Sequence, residues 1–159
     1  MKKLIIFLAI TTFFACNKSN DVVDCFYISA SLQLSVFNSN NEDLLNPENP
    51  NYLDTGSTRL FYVVNGEKEG IHNANATHPK NFYVFKHENE YRIAVFLNHT
   101  DTSDKPITYI EWNNSDTDTI EVVYDRNSCG VIQQIIWLNG EQIWEIRGNT
   151  IDPYFKLIK

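Results

Sequence analysis

The sequence contains few of the motifs that point directly to a function. It has no P-loop, no G-x-G-x-x-G and no Ser within a G-x-S-x-G turn, which removes three common routes to catalysis. No segment carries a convincing helical stripe, and there are no internal repeats or low-complexity tracts. We therefore expect neither these kinds of enzyme nor a helical or repetitive fold.

Basic residues are scarce as well. The chain has 13 Lys and Arg residues against 20 Asp and Glu residues, which gives a net charge of −7. Phosphates and anionic lipid headgroups are repelled by such a surface. The composition therefore argues against binding to nucleic acid and against charge-driven docking on a membrane.

Metal-ligand spacing is also missing. The four histidines lie in or beside predicted loops without H-x-x-x-H or H-E-x-x-H spacing, so the sequence predicts no zinc site. Two acidic loops supply oxygen ligands for a weaker, calcium-binding alternative, namely Asp101, Asp104, Asp116 and Asp118. No EF-hand spacing is present and Asp favours turns by bonding its own backbone, so we predict no metal and no cofactor. No carboxylate pair is singled out by an apolar surround, so we predict no catalytic residue and no enzymatic activity.

The amino terminus has the clearest signal in the sequence. Two lysines precede an apolar stretch within residues 4–14 that is too short to span a ~30 Å hydrocarbon core, which is typical of a signal peptide at residues 1–15. Ala15 directly before Cys16 resembles the lipobox of bacterial lipoproteins, although Phe occupies the two positions before Ala15. The resemblance implies cleavage before Cys16 and acylation of its sulfur. An uncleaved anchor and a secreted form cleaved after Ala15 are the alternatives.

The remaining chain is long enough for one domain. Residues 16–24 are polar and are interpreted as the lipidated cysteine with a short tether, and residues 25–159 as a single domain. Once Cys16 is assigned to the anchor, Cys25 and Cys129 remain as an even pair. Disulfides persist in oxidising compartments, so we predict a bond between Cys25 and Cys129, with two buried thiols as the alternative.

Several short motifs are similar to those of Bacteroidetes envelope proteins. Lys18 resembles part of their surface-export signal, and the tripeptide that starts at Asp118 (Asp-Thr-Ile) resembles their O-glycan acceptor. With the lipobox, the segment Asp43-Leu44-Leu45-Asn46-Pro47 and the Asn139-Gly140 hairpin, these residues make the chain similar to small lipoproteins of Bacteroidetes envelopes. The resemblance implies a lipid anchor in the outer membrane, with the cell surface favoured over the periplasmic face, and it implies no activity.

Patterns typical of strands recur along the whole domain. Apolar and polar side chains alternate over residues 26–36, as in a half-buried strand. Asn65-Gly66 and Asn139-Gly140 suit type I′ turns and predict hairpins. Further strands are predicted at residues 58–64, 67–71, 82–86, 91–97, 107–112, 119–125, 131–138, 141–147 and 154–158. The fold class is therefore all-β, a single-domain, two-sheet antiparallel β-sandwich that is immunoglobulin-like or related.

Aromatic residues make up 13% of the chain. In a sandwich of this size aromatic side chains mainly fill the core, but exposed rings bind sugars by stacking. In the last hairpin, a two-residue turn predicts that Trp137 and Trp144 share one face. The ligand-binding candidates are Trp112, at a strand end beside a loop, with Tyr52, Tyr83, Tyr91 and Trp144.

The sequence therefore predicts a membrane-anchored extracytoplasmic lipoprotein that acts as a non-catalytic binding or interaction module. Its partner is expected to be a glycan or another envelope protein, while the lipid holds it to the membrane. A structural accessory subunit of a surface assembly and a glycan-binding protein are the alternative functions.

Overall fold

Eleven β-strands form the regular structure of residues 26–147 and 152–159, which are the residues that this computed structural model describes. The strands are β1 (Tyr27–Ser29), β2 (Ser31–Phe37), β3 (Arg59–Val64), β4 (Glu67–Gly70), β5 (Phe82–His87), β6 (Glu90–Phe96), β7 (Ile107–Asn113), β8 (Asp116–Asn127), β9 (Gly130–Leu138), β10 (Glu141–Glu145) and β11 (Tyr154–Ile158). The described residues contain no helix that is long and apolar enough to cross a membrane. The predicted signal peptide, Cys16, the tether and Cys25 lie outside the described residues.

The strands form two sheets, which confirms the predicted two-sheet, all-β architecture. The larger sheet has the order β1-β9-β8-β7-β3-β4, with β10 also paired to β9, and the smaller sheet has the order β11-β2-β6-β5. The expectation of purely antiparallel sheets is wrong, because β1 pairs with β9 and β11 pairs with β2 in parallel. Neither of these two pairs is joined by a tight hairpin, so no turn forces its strands to run in opposite directions.

The core lies between the two sheets and is built from their alternate residues. Leu32, Leu34 and Val36 of β2 are fully buried and face inward toward the larger sheet. Burying side chains of this size stabilises the fold by about 1.5–3 kcal/mol each relative to exposure. Leu44 and Leu45, from the loop after β2, are buried in the same cluster and close one side of it.

The first predicted strand is in fact divided between the two sheets. β1 belongs to the larger sheet and β2 to the smaller one, with the change at Ala30. The backbone groups at this crossing are satisfied, since Leu97 N donates to Ala30 O at 2.9 Å and Ser31 N donates to Gln133 Oε1 at 3.0 Å. Gln133 is a buried polar residue of β9, so its side chain supplies the acceptor that a neighbouring strand would otherwise provide.

The two predicted Asn-Gly hairpins are confirmed by their backbone angles. Asn65 and Gly66 have φ values of 53° and 85°, and Asn139 and Gly140 have 52° and 83°, as a type I′ turn requires.

The expectation that Trp137 and Trp144 share a face is wrong. A β-bulge between Gln142 and Trp144 pairs Trp144 with Ile136, so Trp144 enters the core. Trp137 lies on the opposite side of the hairpin, beneath Lys105, whose Nζ is 3.9 Å from the centre of the indole ring. The extra residue of a bulge reverses the alternation beyond it, and the sequence did not reveal that bulge.

The start of the described chain lies beside Cys129. Tyr27 N donates to Cys129 O at 2.9 Å, and Tyr27 is paired with Gly130 in the parallel β1–β9 ladder. Gly130 has a φ of 145°, and a Cβ added there would lie 1.8 Å from Tyr27 O. A glycine is therefore required at the position where β1 joins the larger sheet.

Candidate functional site

The outer face of the smaller sheet carries an unusual amount of aromatic surface. Along β5, Phe82 and Val84 face inward and pack against the core. Because successive side chains of a strand point to opposite faces, Tyr83, Phe85 and His87 point outward. The strand is therefore aromatic on the side that faces away from the core.

These outward side chains form a continuous array of rings. His78, from the loop before β5, stacks on Tyr83 with ring centres 4.3 Å apart and planes tilted by 21°. The ring of Phe85 follows at 5.6 Å from Tyr83, and His87 at 6.5 Å from Phe85. Phe96 of β6 lies 6.1 Å from Tyr83 and 6.0 Å from His78. We call these five residues the aromatic face.

A polar groove of about 410 Å³ adjoins the aromatic face at His87. The guanidinium of Arg92 lies 3.9 Å from the centre of the Tyr154 ring, and its Nε donates to Glu90 Oε1 at 2.6 Å. Lys156 completes one side of the groove. Hydrogen-bond donors and acceptors therefore lie next to the rings, which is the combination that orients a polar ligand on an apolar surface.

A buried phenol supports the aromatic face from below. Tyr62 of β3 donates its hydroxyl to Phe96 O at 2.8 Å and accepts a hydrogen bond from Asn81 Nδ2 at 3.1 Å. Burial raises the pKa of Tyr62, and the hydrogen bond from Asn81 opposes this increase only in part. The neutral phenol thus fixes the end of β6, where Phe96 lies, to the opposite sheet.

Only one of the five predicted ligand-binding residues lies on this face. Tyr83 is 37% exposed and lies at the centre of the array. Tyr91 is half-buried and packs against the core, and Tyr52 lies in the loop after β2, where its hydroxyl is 3.0 Å from Thr55 Oγ1.

The prediction of a ligand-binding role for Trp112 and Trp144 is contradicted by their burial. Trp112 is 1% exposed and Trp144 is 6% exposed, and both belong to the core cluster between the sheets. Trp112 also donates its indole N–H to Asp118 Oδ2 at 2.6 Å. A buried indole offers no free face to a ligand, so the position of Trp112 at a strand end reflects the edge of the core.

Asp118 is the centre of a buried polar network. Besides Trp112, it accepts a hydrogen bond from Asn139 Nδ2 at 2.7 Å, and Lys159 Nζ lies 2.9 Å from its Oδ2. Burial raises the pKa of Asp118, but the hydrogen bonds from Asn139, Lys159 and Trp112, together with the positive charge of Lys159, hold that pKa below its ordinary value. The carboxylate is therefore ionised and already paired with a cation.

The structure does not bring the calcium candidates together. Asp101 and Asp104 precede β7, whereas Asp116 and Asp118 lie at the start of β8, where they pair with Asn113 and Ile110 of β7. Lys159 Nζ also lies 2.7 Å from Asp116 Oδ1, so its ammonium group occupies the place that a cation between Asp116 and Asp118 would take. Within residues 26–147 and 152–159 no group of three or more His, Cys, Asp and Glu side chains is arranged to hold a metal ion. The predicted calcium alternative is therefore withdrawn.

Comparison of the chain with models of known protein families, with curated proteins and with solved structures finds no significant match. The function must therefore be inferred from the chemistry of the site.

Proposed function

We propose that this protein is a lipid-anchored, extracytoplasmic module that binds a glycan without catalysis, and that the aromatic face is its binding surface. The observation that carries the proposal is the unbroken ring array from His78 through Tyr83 and Phe85 to His87 on the outside of the smaller sheet. Aromatic side chains are normally buried because they carry large apolar surfaces. A contiguous set on an outer face favours a ligand that covers it.

A sugar ring suits this surface better than the other classes of ligand do. The negative face of an aromatic ring attracts the polarised C–H groups of a pyranose, so stacking is favoured beyond the apolar area that it buries. Arg92, Glu90 and Lys156 border the rings and match the hydroxyl groups of a carbohydrate. A single-stranded nucleic acid also stacks on rings, but its phosphates need basic residues along the whole array, and the groove at His87 is lined by Glu88 and Glu90 as well as by Arg92 and Lys156.

The length of the array favours a chain of sugars over a single sugar. Tyr83 and His87 are four residues apart in β5, about 13 Å, and the stacked ring of His78 extends the array by a further 4.3 Å. Grooves adjoin both ends of this array, one at His87 and one at His78.

The proposed location follows from the amino terminus. Cleavage before Cys16 and acylation of its sulfur would hold the domain at the outer membrane through residues 16–24, with the cell surface favoured, as in the Bacteroidetes lipoproteins that the chain resembles. Mass spectrometry of the mature protein tests this proposal. An unacylated Cys16, or cleavage elsewhere, would contradict it.

We also propose a disulfide between Cys25 and Cys129. The parallel pairing of Tyr27 with Gly130 supports it, since Cys25 precedes Tyr27 by two positions. A bond that closes so long a loop stabilises a domain by about 4–5 kcal/mol in the chain-entropy model. Mass mapping without reduction is expected to show the linked peptides, and the finding of both thiols in the free form would contradict the bond.

A glycan array followed by isothermal titration tests the binding proposal. Tyr83→Ala and Phe85→Ala are each expected to weaken binding roughly tenfold, and the double variant is expected to abolish it. Tyr109→Ala is the matched control, because Tyr109 alternates with buried residues of β7 and so faces outward on the larger sheet. The absence of glycan binding by the folded wild-type protein would refute the proposal.

The exposed edge of the larger sheet favours a second function, docking of an envelope protein as part of a surface assembly. Phe26, Tyr27 and Ile28 are 71%, 54% and 42% exposed in and beside β1. Strand edges with apolar side chains accept an added strand from a partner. Phe26→Ser with Ile28→Thr should then abolish assembly with that partner but leave glycan binding intact, and unchanged assembly would contradict the second function.

A further inference from the structure

A second groove begins where the aromatic face ends. Two adjoining depressions of about 480 Å³ and 440 Å³ share Gly56, His72 and Lys80 in their walls. His78 lines the second depression, and its ring stacks on Tyr83 of the aromatic face. We call the pair of depressions the Lys80 groove. A ligand that lies on Tyr83 is therefore adjacent to this groove.

The charge of the Lys80 groove is opposite to that of the whole chain. The chain has 20 acidic and 13 basic residues, yet neither depression is lined by an Asp or Glu within the described residues. Lys80 and Arg59 are among the lining residues, together with the apolar rings of Phe61 and Phe82. In a strongly acidic protein such a surface attracts anions selectively.

The ammonium group of Lys80 is held in place without being neutralised. Its Nζ donates to Gly56 O at 2.5 Å and to Thr58 O at 3.3 Å, and both acceptors are backbone carbonyls. Arg59, in contrast, forms an ion pair with Glu111. Lys80 Nζ is thus held by two carbonyl groups and forms no ion pair with a carboxylate of the described residues, and an ammonium group has a third N–H beyond the two used here.

We propose that the ligand is an acidic glycan, whose carboxylate or sulfate group binds Lys80 in this groove while its sugar rings stack on Tyr83 and its neighbours. This inference rests on the proposed glycan-binding function and names the class of glycan. A charge-assisted hydrogen bond from a positioned ammonium is about twice as strong as a neutral one. Binding to the anionic group should therefore account for much of the selectivity among glycans.

Chemically matched pairs of glycans test the proposal. Uronic acid oligosaccharides are compared with the same oligosaccharides after reduction of their carboxyl groups to alcohols, and sulfated oligosaccharides with their desulfated forms. The wild-type protein is expected to bind one acidic series roughly tenfold more tightly than its neutral counterpart. The series that shows this preference identifies the anion as a carboxylate or a sulfate.

Lys80→Met should lower the affinity for the acidic glycan roughly tenfold and leave the affinity for the neutral counterpart unchanged. Lys105→Met is the control, because Lys105 lies against Trp137 on the larger sheet and should change neither affinity. Tyr83→Ala should weaken binding of both members of a pair, since stacking does not depend on the charge of the glycan.

The outcomes separate this inference from the proposed function. Wild-type protein that binds no glycan refutes both. Binding of neutral and acidic partners with equal affinity, or a folded Lys80→Met variant that keeps the preference, overturns the acidic-glycan proposal alone. If Lys80→Met does not fold, the salt dependence of the wild-type protein decides. Between about 0.02 and 0.5 M NaCl the preference for the acidic glycan should decrease, and a preference that is unchanged by salt would overturn the proposal.

Discussion

Replacement of Asp118 by Asn is the most informative perturbation of the fold. The carboxylate accepts hydrogen bonds from the indole N–H of Trp112 and the amide of Asn139, and it also faces Lys159. Asn keeps the shape of the side chain but supplies one acceptor oxygen instead of two and directs an NH₂ group at other donors. At least one buried donor loses its partner in the variant.

The expected loss follows from the number of partners. A buried donor without a partner costs about 1–3 kcal/mol, and removal of one member of a buried ion pair costs about 3–5 kcal/mol. Lys159 keeps its ion pair with Asp116 at 2.7 Å, so its charge is not isolated and the lower end of the range for a broken ion pair applies. We expect a loss of about 3 kcal/mol, a large part of the ~5–15 kcal/mol by which domains are stable. The midpoint of thermal unfolding should fall by about 10 °C.

Urea unfolding followed by tryptophan fluorescence and circular dichroism measures this loss. Asp116→Asn is the matched control, because the side chain of Asp116 is 35% exposed and its main partner is also Lys159. The control should cost less than about 1 kcal/mol. Equal losses for the two variants, or a loss below about 1 kcal/mol for Asp118→Asn, would refute the role assigned to the network.

The same variant has a defined pH dependence. The pKa of Asp118 is lowered in the folded state from its ordinary value of 3.8, so the carboxylate stabilises the fold fully above that pH. This stability is lost as the pH falls through the lower pKa of the folded state. The difference in stability between wild type and Asp118→Asn should therefore be constant near neutrality and shrink in acid.

Three further substitutions test the buried tyrosines and the glycine positions. Burial raises the pKa of Tyr62 and Tyr124 above the ordinary 10.0, so the stability of the fold should decrease as the pH rises beyond about 10. The hydroxyl of Tyr124 has no hydrogen-bond partner among the described residues, and Tyr124→Phe should make this decrease smaller. The same dependence of the urea midpoint on pH in wild type and variant would contradict this prediction. Gly130→Ala should lower the free energy of unfolding by about 2–4 kcal/mol, because the added Cβ would meet Tyr27 O. Gly66→Ala should lower it by only about 1 kcal/mol, because the space around Gly66 is open. Equal losses in urea unfolding would show that β1 is not held as described.

The order of strands and turns could be predicted because it depends on local pattern. Alternation over residues 26–36 and the Asn-Gly dipeptides identified strands and hairpins whose bounds the structure largely confirms. The division at Ala30 could not be predicted, since it depends on Gln133, which is a hundred residues away and offers an acceptor to Ser31. The parallel pairing of β1 with β9 and that of β11 with β2 likewise depend on tertiary contacts.

The candidate site was harder to predict because both sides of β5 are apolar. Phe82 and Val84 alternate with Tyr83 and Phe85, so hydrophobicity does not show which side faces the core. The outward side is the more aromatic one, and of its residues the sequence singled out only Tyr83. His87 continues the outward series, but the charged Lys86 continues the other one, so polarity did not distinguish the two sides either.

The crossing at Ala30 would have a mechanical consequence if the domain is tethered and binds a polymer as proposed. The chain enters the domain through β1 and passes without a loop into β2, which is paired with β6 of the sheet that bears the aromatic face. A pull between a captured polymer and a membrane anchor would thus travel along one covalent backbone before it loads the contacts between the layers.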